Sequence, residues 1–206
     1  MNIHDEVIES AARTMRERFD REKHVVRPLR SGDVAAIKRY ATVGDALVDG
    51  AFWALFNEHK NLFAGANADE TELDRVASAV AIAVCTFGAA RAGAPSRSLG
   101  AWIASGLRAK GLPEGGANLR FRQLAAARTP DELVRRLRAL LKLIGLPVDW
   151  GVVVKDVLHW SKSAGSRERV TRAWARGFYG STDDEADDTD RGAKTAATKT
   201  EGATER

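Results

Sequence analysis

The chain has a single cysteine, Cys85, so no disulfide within it can form and the fold has to rest on burial. Its 206 residues suffice for one ordinary domain or two small helical lobes, with enough buried surface to need neither disulfides nor metal. Cys85 itself lies in the apolar run from Val80 to Phe87, the setting of a buried structural thiol rather than a reactive nucleophile. Histidine is as scarce: His4, His24, His59 and His159 have neither the paired spacing nor the cysteine partners of a zinc site. There is no P-loop and no dinucleotide-binding glycine pattern, and Gly115-Gly116 reads as a loop. Nothing in this inventory assembles a catalytic constellation, so the expectation is a non-catalytic protein with no cofactor and no metal. Long apolar runs are lacking too, and the first twenty residues are dense in charge where a signal peptide would be apolar. These features predict a soluble, cytoplasmic protein that does not contact a membrane.

Acidic residues are in short supply in one place only. Residues 118–180 carry 13 Lys+Arg against 5 Asp+Glu, whereas residues 1–117 carry 15 against 15 and residues 181–206 carry 4 against 8. The positive surplus is therefore confined to one stretch, the asymmetry expected of a surface that meets a polyanion. A solvated, arginine-rich face is the competing reading of charge alone.

Alternation of the strand type is rare, and apolar spacing is helical nearly throughout, which predicts an all-α bundle of about eight to nine helices. The expected helices cover about residues 2–20, 32–40, 45–59, 70–91, 98–107, 117–127, 130–144, 150–162 and 167–179. Thr129, Pro130 and Glu132 make a capping box for the seventh of these; Asp149 caps the next and Ser166 the last, while Gly145 and Gly180 stand where helices stop. The helical domain is expected to span residues 1–180, with 1–117 and 118–180 as candidate lobes. Residues 181–206 hold no aromatic and no large aliphatic side chain and read as a disordered acidic tail.

Two helices in the basic stretch share one plan. Leu133, Leu137, Leu140, Leu141 and Ile144 form one stripe, and Arg135, Arg138 and Lys142 form another well away from it. In the last helix Val170, Trp174 and Phe178 point inward, with Arg169, Arg172 and Arg176 on the opposite side. Guanidinium rows suit a phosphate backbone, because each group stays charged, donates bidentate hydrogen bonds and displaces counterions on binding. The rows are useful together only if both border one groove.

The segments Asn118-Leu-Arg-Phe-Arg-Gln-Leu124, Asp131 to Lys142, Val148-Asp-Trp150, Val157-Leu-His-Trp160 and Val170 to Tyr179 resemble the CasB family, the small subunits of type I-E CRISPR Cascade complexes. Upstream, Leu29 to Arg39, Phe52-Trp-Ala-Leu-Phe56 and Ser98-Leu-Gly100 follow the family in the same order, so the resemblance covers about residues 29–179. It implies a non-catalytic, all-helical subunit of an antiviral surveillance complex, present as two copies, contacting the other Cascade subunits, the guide RNA and the target DNA, and stabilising the R-loop. By position the family's basic residues match Lys38, Arg39, Arg120, Arg128, Arg138, Lys142, Arg167 and Arg169. The chain departs from the family in its acidic tail, in a longer connection around residues 60–70, and in Asp69, Glu70 and Glu72, which argue against a basic contact there. The alternative is a scaffold subunit whose arginines meet acidic protein partners without touching nucleic acid.

Overall fold

Apolar side chains three and four residues apart turn the chain into helices, and several helices start where a short polar side chain can take up their first amides, whereas Glu114–Ala125 follows Pro113 with no such cap. The computed structural model describes residues 35, 39–64, 69–87, 89 and 97–180. The helix expected over residues 2–20, nearly all of that over 32–40, and the tail 181–206 lie outside the described residues. Among the described residues there are eight helices and no strand: α1 (Val43–Leu47), α2 (Gly50–Ala64), α3 (Glu70–Phe87), α4 (Leu99–Ala109), α5 (Glu114–Ala125), α6 (Pro130–Ile144), α7 (Trp150–Lys162) and α8 (Ala164–Gly180). The all-α expectation holds, and no described helix is long and apolar enough to cross a membrane.

Several boundaries differ from the sequence reading, each for a local reason. The single helix expected over residues 45–59 is two, because Thr42 rather than Asp45 caps the first: its side chain accepts from the Asp45 amide at 3.1 Å, while the Asp45 carboxylate accepts from Ala41 and Thr42 at 2.9 Å each. Asp49 then restarts the chain by accepting from the Ala51 amide at 2.7 Å. Ser166 is not the cap of α8; Ser163 is, accepting from the Ser166 amide at 3.1 Å, which leaves Ser166 buried inside the first turn. At α6 the Thr129 hydroxyl accepts from the Glu132 amide at 3.3 Å as expected, but the Glu132 carboxylate reaches back to Arg128 at 2.8 Å, one residue before the cap. Gly145 ends α6 with φ 65°, the left-handed turn that glycine adopts at least cost.

Helix α3 is the centre. Residues 79–86 are buried without interruption, so this half of the helix has no solvent face and must be surrounded, whereas Glu70, Thr71 and Asp74 in its first half are exposed; α1, α2, α6 and α7 pack against it. α8 lies across α4 and α7, and α5 packs on α4, α6 and α8, where Phe121 stacks on Phe178 at 4.3 Å between ring centroids. One apolar cluster joins side chains from both sides of residue 117. The crossing of α4 and α8 is close because both helices offer glycine: a Cβ on Gly100 would collide with the backbone carbonyl of Trp174, and one on Gly177 with the Ser98 hydroxyl. The buried tryptophans each need an acceptor, and the indole N–H of Trp102 finds the Pro147 carbonyl at 2.7 Å while that of Trp174 finds Asp156 at 2.6 Å.

Gly100→Ala should therefore destabilise the fold by roughly 1–3 kcal/mol or more, since backbone and not a flexible side chain must move. Gly115 and Gly116, expected in a loop, lie instead in the first turn of α5, which starts at Glu114; Gly115→Ala, where a Cβ meets nothing within 4 Å, should be neutral or stabilising by up to about 1 kcal/mol in the same urea titration. Equal losses at both positions would contradict the close helix crossing.

A second expectation comes from Asp156. Burial pushes its carboxyl from the ordinary 3.8 up to about 6, against the opposing pull of the Trp174 N–H and of Lys155. Because the folded state holds this proton more tightly than the unfolded chain, the group's contribution to stability falls as pH rises from about 4 to about 6. Asp156→Asn keeps an acceptor for Trp174 and removes the ionisation. It should raise stability at pH 7 by roughly 1–3 kcal/mol and flatten the pH dependence between those values. A variant less stable than the parent at pH 7 would show that the charge itself is required.

Candidate nucleic-acid interface

The outer face of α6 borders a groove of about 590 Å³ whose other wall is Ala41-Thr42 at the start of α1. Arg135, Arg138 and Lys142 line it, together with Asp131 and Glu132 from the first turn of the same helix. The two acids are already engaged. Asp131 accepts from the Val43 amide at 2.8 Å, tying α6 to α1, and Glu132 holds the Arg128 amide. That backbone hydrogen bond, with Arg136 and Arg135 nearby, keeps the Glu132 carboxyl below the usual range, and the amides of Thr42 and Ala41 do the same for Asp45. Glu132 and Asp45 sit at helix N-termini, where the dipole favours negative charge.

The basic side chains divide into two kinds. Arg138 is half-buried and donates to the carbonyl oxygen of Tyr40, so it fastens α6 to the segment entering α1. Arg135 and Lys142 are exposed, one about a turn before Arg138 and one a turn after it. Arg39, next to the Tyr40 that Arg138 grips, is exposed but does not line the groove; Lys38 lies outside the described residues. Arg120 on α5 and Arg128 in the α5–α6 connection are exposed as well.

On α8, Arg169, Arg172 and Arg176 are exposed as their spacing requires. Arg169 donates to the Ser166 hydroxyl at 2.9 Å, and Arg172 lies 3.6 Å from Glu168 in a pair open to solvent, an interaction worth little. Arg167 does something else: its guanidinium carbon sits 4.3 Å from the centre of the Trp160 ring, and its Nε is buried with no hydrogen-bond partner. It packs the α7–α8 corner more than it offers charge outward. No α8 side chain lines the groove on α6, and α4 and α5 each pack against both helices.

Two contacts at this site escaped the sequence reading. Arg136, absent from either row, donates to the Gln123 carbonyl at 2.5 Å and lies 3.7 Å from Glu132, joining α5 to α6. The Arg138–Tyr40 bond links residues 98 positions apart, a separation over which helical spacing carries no information. Behind the groove Cys85 donates to the Thr42 carbonyl at 3.2 Å, and burial pushes its thiol up to about 12, in keeping with a structural role. Tyr40 is pushed up to about 12 by burial and by the nearby Asp49 carboxylate. Among the described residues no three His, Cys, Asp or Glu side chains gather as a metal would require.

Comparison with known proteins adds a family. The family model described as CRISPR-associated protein Cse2 matches residues 29–179. No curated protein matches. Among solved structures, CasB from Thermobifida fusca is similar with a TM-score of 0.56 at 17% identity, over 86% of this chain and 98% of its own. M. ruber CasB gives 0.58 at 19%, over 86% and 97%. A chain of E. coli Cascade bound to a PAM-containing dsDNA target gives 0.52 at 18%, over 74% and 90%. At such identities the structures establish a shared fold.

The different duties of neighbouring basic residues can be measured. Arg138→Ala should cost about 1–3 kcal/mol, because it strips a buried carbonyl of a charged donor. Arg135→Ala and Lys142→Ala should each stay within about 0.5 kcal/mol of the parent in chemical denaturation. A silent Arg138→Ala would mean that the α1–α6 tie is dispensable.

Proposed function

The chain belongs to the CRISPR-associated Cse2 (CasB) family, and from that membership we propose that it is the non-catalytic small subunit of a type I-E Cascade, binding nucleic-acid backbone and helping to hold the R-loop open. The observation that carries the reading is the exposed pair Arg135 and Lys142 at the groove of α6, with the nearby carboxylates occupied by backbone amides. Free guanidinium and ammonium groups beside engaged acids can exchange counterions for phosphates. Nothing in the row is suited to reading base edges, so sequence choice falls to pairing with the guide. The similarity to a chain of E. coli Cascade bound to a dsDNA target supports assembly with other Cascade subunits and with nucleic acid, guide RNA and target DNA; a second copy of this chain in the complex follows from the family resemblance alone. The row on α8 is a separate surface, and the remaining candidates, Arg120 and Arg128, extend the basic surface along α5 toward α6. Arg138 and Arg167 contribute by holding the surface in shape as well as by charge.

A scaffold reading, in which arginines meet acidic protein partners, draws on the commitments of Arg136, Arg138 and Arg169 within the chain. The two readings part in a reconstituted complex. Replacing Arg135 and Lys142 together by alanine, with Arg138 kept for stability, should weaken target-DNA binding and lower the slope of log affinity against log salt by about two. The loss should be alike for every target sequence. An unchanged slope would favour the scaffold, and a loss confined to certain bases would show edge recognition instead.

A further inference from the structure

The arginine row on α8 continues into an aromatic ring. Arg172, Arg176 and Tyr179 stand at i, i+4 and i+7, so the three side chains share one face of the helix, and all three are exposed. Tyr179 is 50% exposed although its ring is packed. Phe121 from α5 and Phe178 stack on each other, and Tyr179 stands across both, 5.7 Å from Phe121 at 85° and 5.0 Å from Phe178 at 86°. These two perpendicular contacts fix the orientation of the ring, and the rest of its surface meets water. The acid on α8 is Glu168, which pairs with Arg172 and lies eleven residues before Tyr179, roughly 16 Å along the axis. The end of the row that holds the ring is therefore basic and aromatic only.

We propose that Tyr179 is a stacking platform for one base of an unpaired nucleic-acid strand whose phosphates lie along Arg176, Arg172 and Arg169. This rests on the reading of the chain as a backbone-binding subunit and adds which form of nucleic acid the α8 face takes and by what contact. An unpaired base has a flat face to bury, and a tyrosine held edge-on by two other rings offers a flat partner at little cost in entropy. Every base has such a face, so stacking tolerates any sequence, as the phosphate contacts do. In a duplex the same faces are covered by neighbouring base pairs, so the platform favours a single strand. The groove on α6 differs in this respect, since none of the residues lining it is aromatic. Its basic side chains meet a backbone whether the bases are paired or not, whereas the α8 face, from Arg169 to Tyr179 over roughly 15 Å, combines charge with a stacking surface.

The test measures the affinity of the full chain at low salt for three fluorescently labelled probes: a single-stranded oligothymidine, an abasic strand with the same number of phosphates, and a duplex of the same length. The parent should bind the base-bearing strand about 5–20-fold more tightly than the abasic one. Tyr179→Leu keeps apolar bulk against Phe121 and Phe178 but has no flat face, so it should bring that ratio within about 2-fold of unity while leaving affinity for the abasic strand and the duplex within about 2-fold of the parent's. Tyr179→Phe keeps the ring and should keep the ratio. R172A/R176A should weaken binding to both strands alike and lower the slope against log salt by about one to two. A parent that does not distinguish the two strands, a Tyr179→Leu chain that loses the abasic strand as well, or a Tyr179→Phe chain as weak as Tyr179→Leu would each overturn the platform. Salt-dependent binding of all three probes without a preference for bases would overturn it and leave the backbone-binding function standing, whereas binding to none of them would overturn both.

Discussion

A helix buried on every side for eight consecutive residues constrains everything around it. From Ala79 to Thr86 the side chains of α3 are small or β-branched, so neighbouring helices come close and no polar face is left to solvent. Four helices have to enclose it, and each then has one apolar stripe turned inward and one face left for charge. The basic row of α6 is on the surface because Leu133, Leu137, Leu140, Leu141 and Ile144 are committed to this centre. The row's position is thus a consequence of packing before it is a matter of electrostatics.

Arginine serves two ends within this scheme, and burial decides which. Where a guanidinium reaches a backbone carbonyl, as Arg138 does at Tyr40 and Arg136 at Gln123, it replaces water at a part-buried or crowded acceptor and joins two elements. Where it projects from the convex side of a helix, as with Arg135, Arg172 and Arg176, it keeps its hydration and remains available. Acidic residues are sorted by the same logic. Asp45, Asp131, Asp149 and Glu132 stand at helix N-termini accepting from amides, so the few carboxylates within the basic stretch largely serve caps.

Much of this was legible in the sequence, because the helical period and cap chemistry are local. The span of α6 from Thr129 to Gly145 and that of α7 after Asp149 follow from a few side chains in contact with their own backbone. Misreadings arose where two local solutions compete: Ser163 and Ser166 are both able to cap α8, and burial of Ser166 settles the choice in a way no spacing reveals. The interruption at Val48-Asp49 splits a stretch whose apolar pattern runs on across it. At the site, exposure of Arg135, Lys142 and the α8 arginines was readable from their angle to the leucines and aromatics. The tie of the half-buried Arg138 to Tyr40 was not, because it joins residues 98 positions apart, a fact of three-dimensional packing.

The dimensions of the rows bear on what they can recognise. Arg135 to Lys142 and Arg169 to Arg176 each span seven residues, roughly 10 Å of helix, about three base steps of a duplex. Two such short rows, only one of which borders the groove on α6, suit contacts to a backbone at two places more than one continuous reading head. On the proposed function, contacts of this kind add binding energy evenly along a strand and leave discrimination between sequences to base pairing, because a phosphate presents the same charge whatever base it carries.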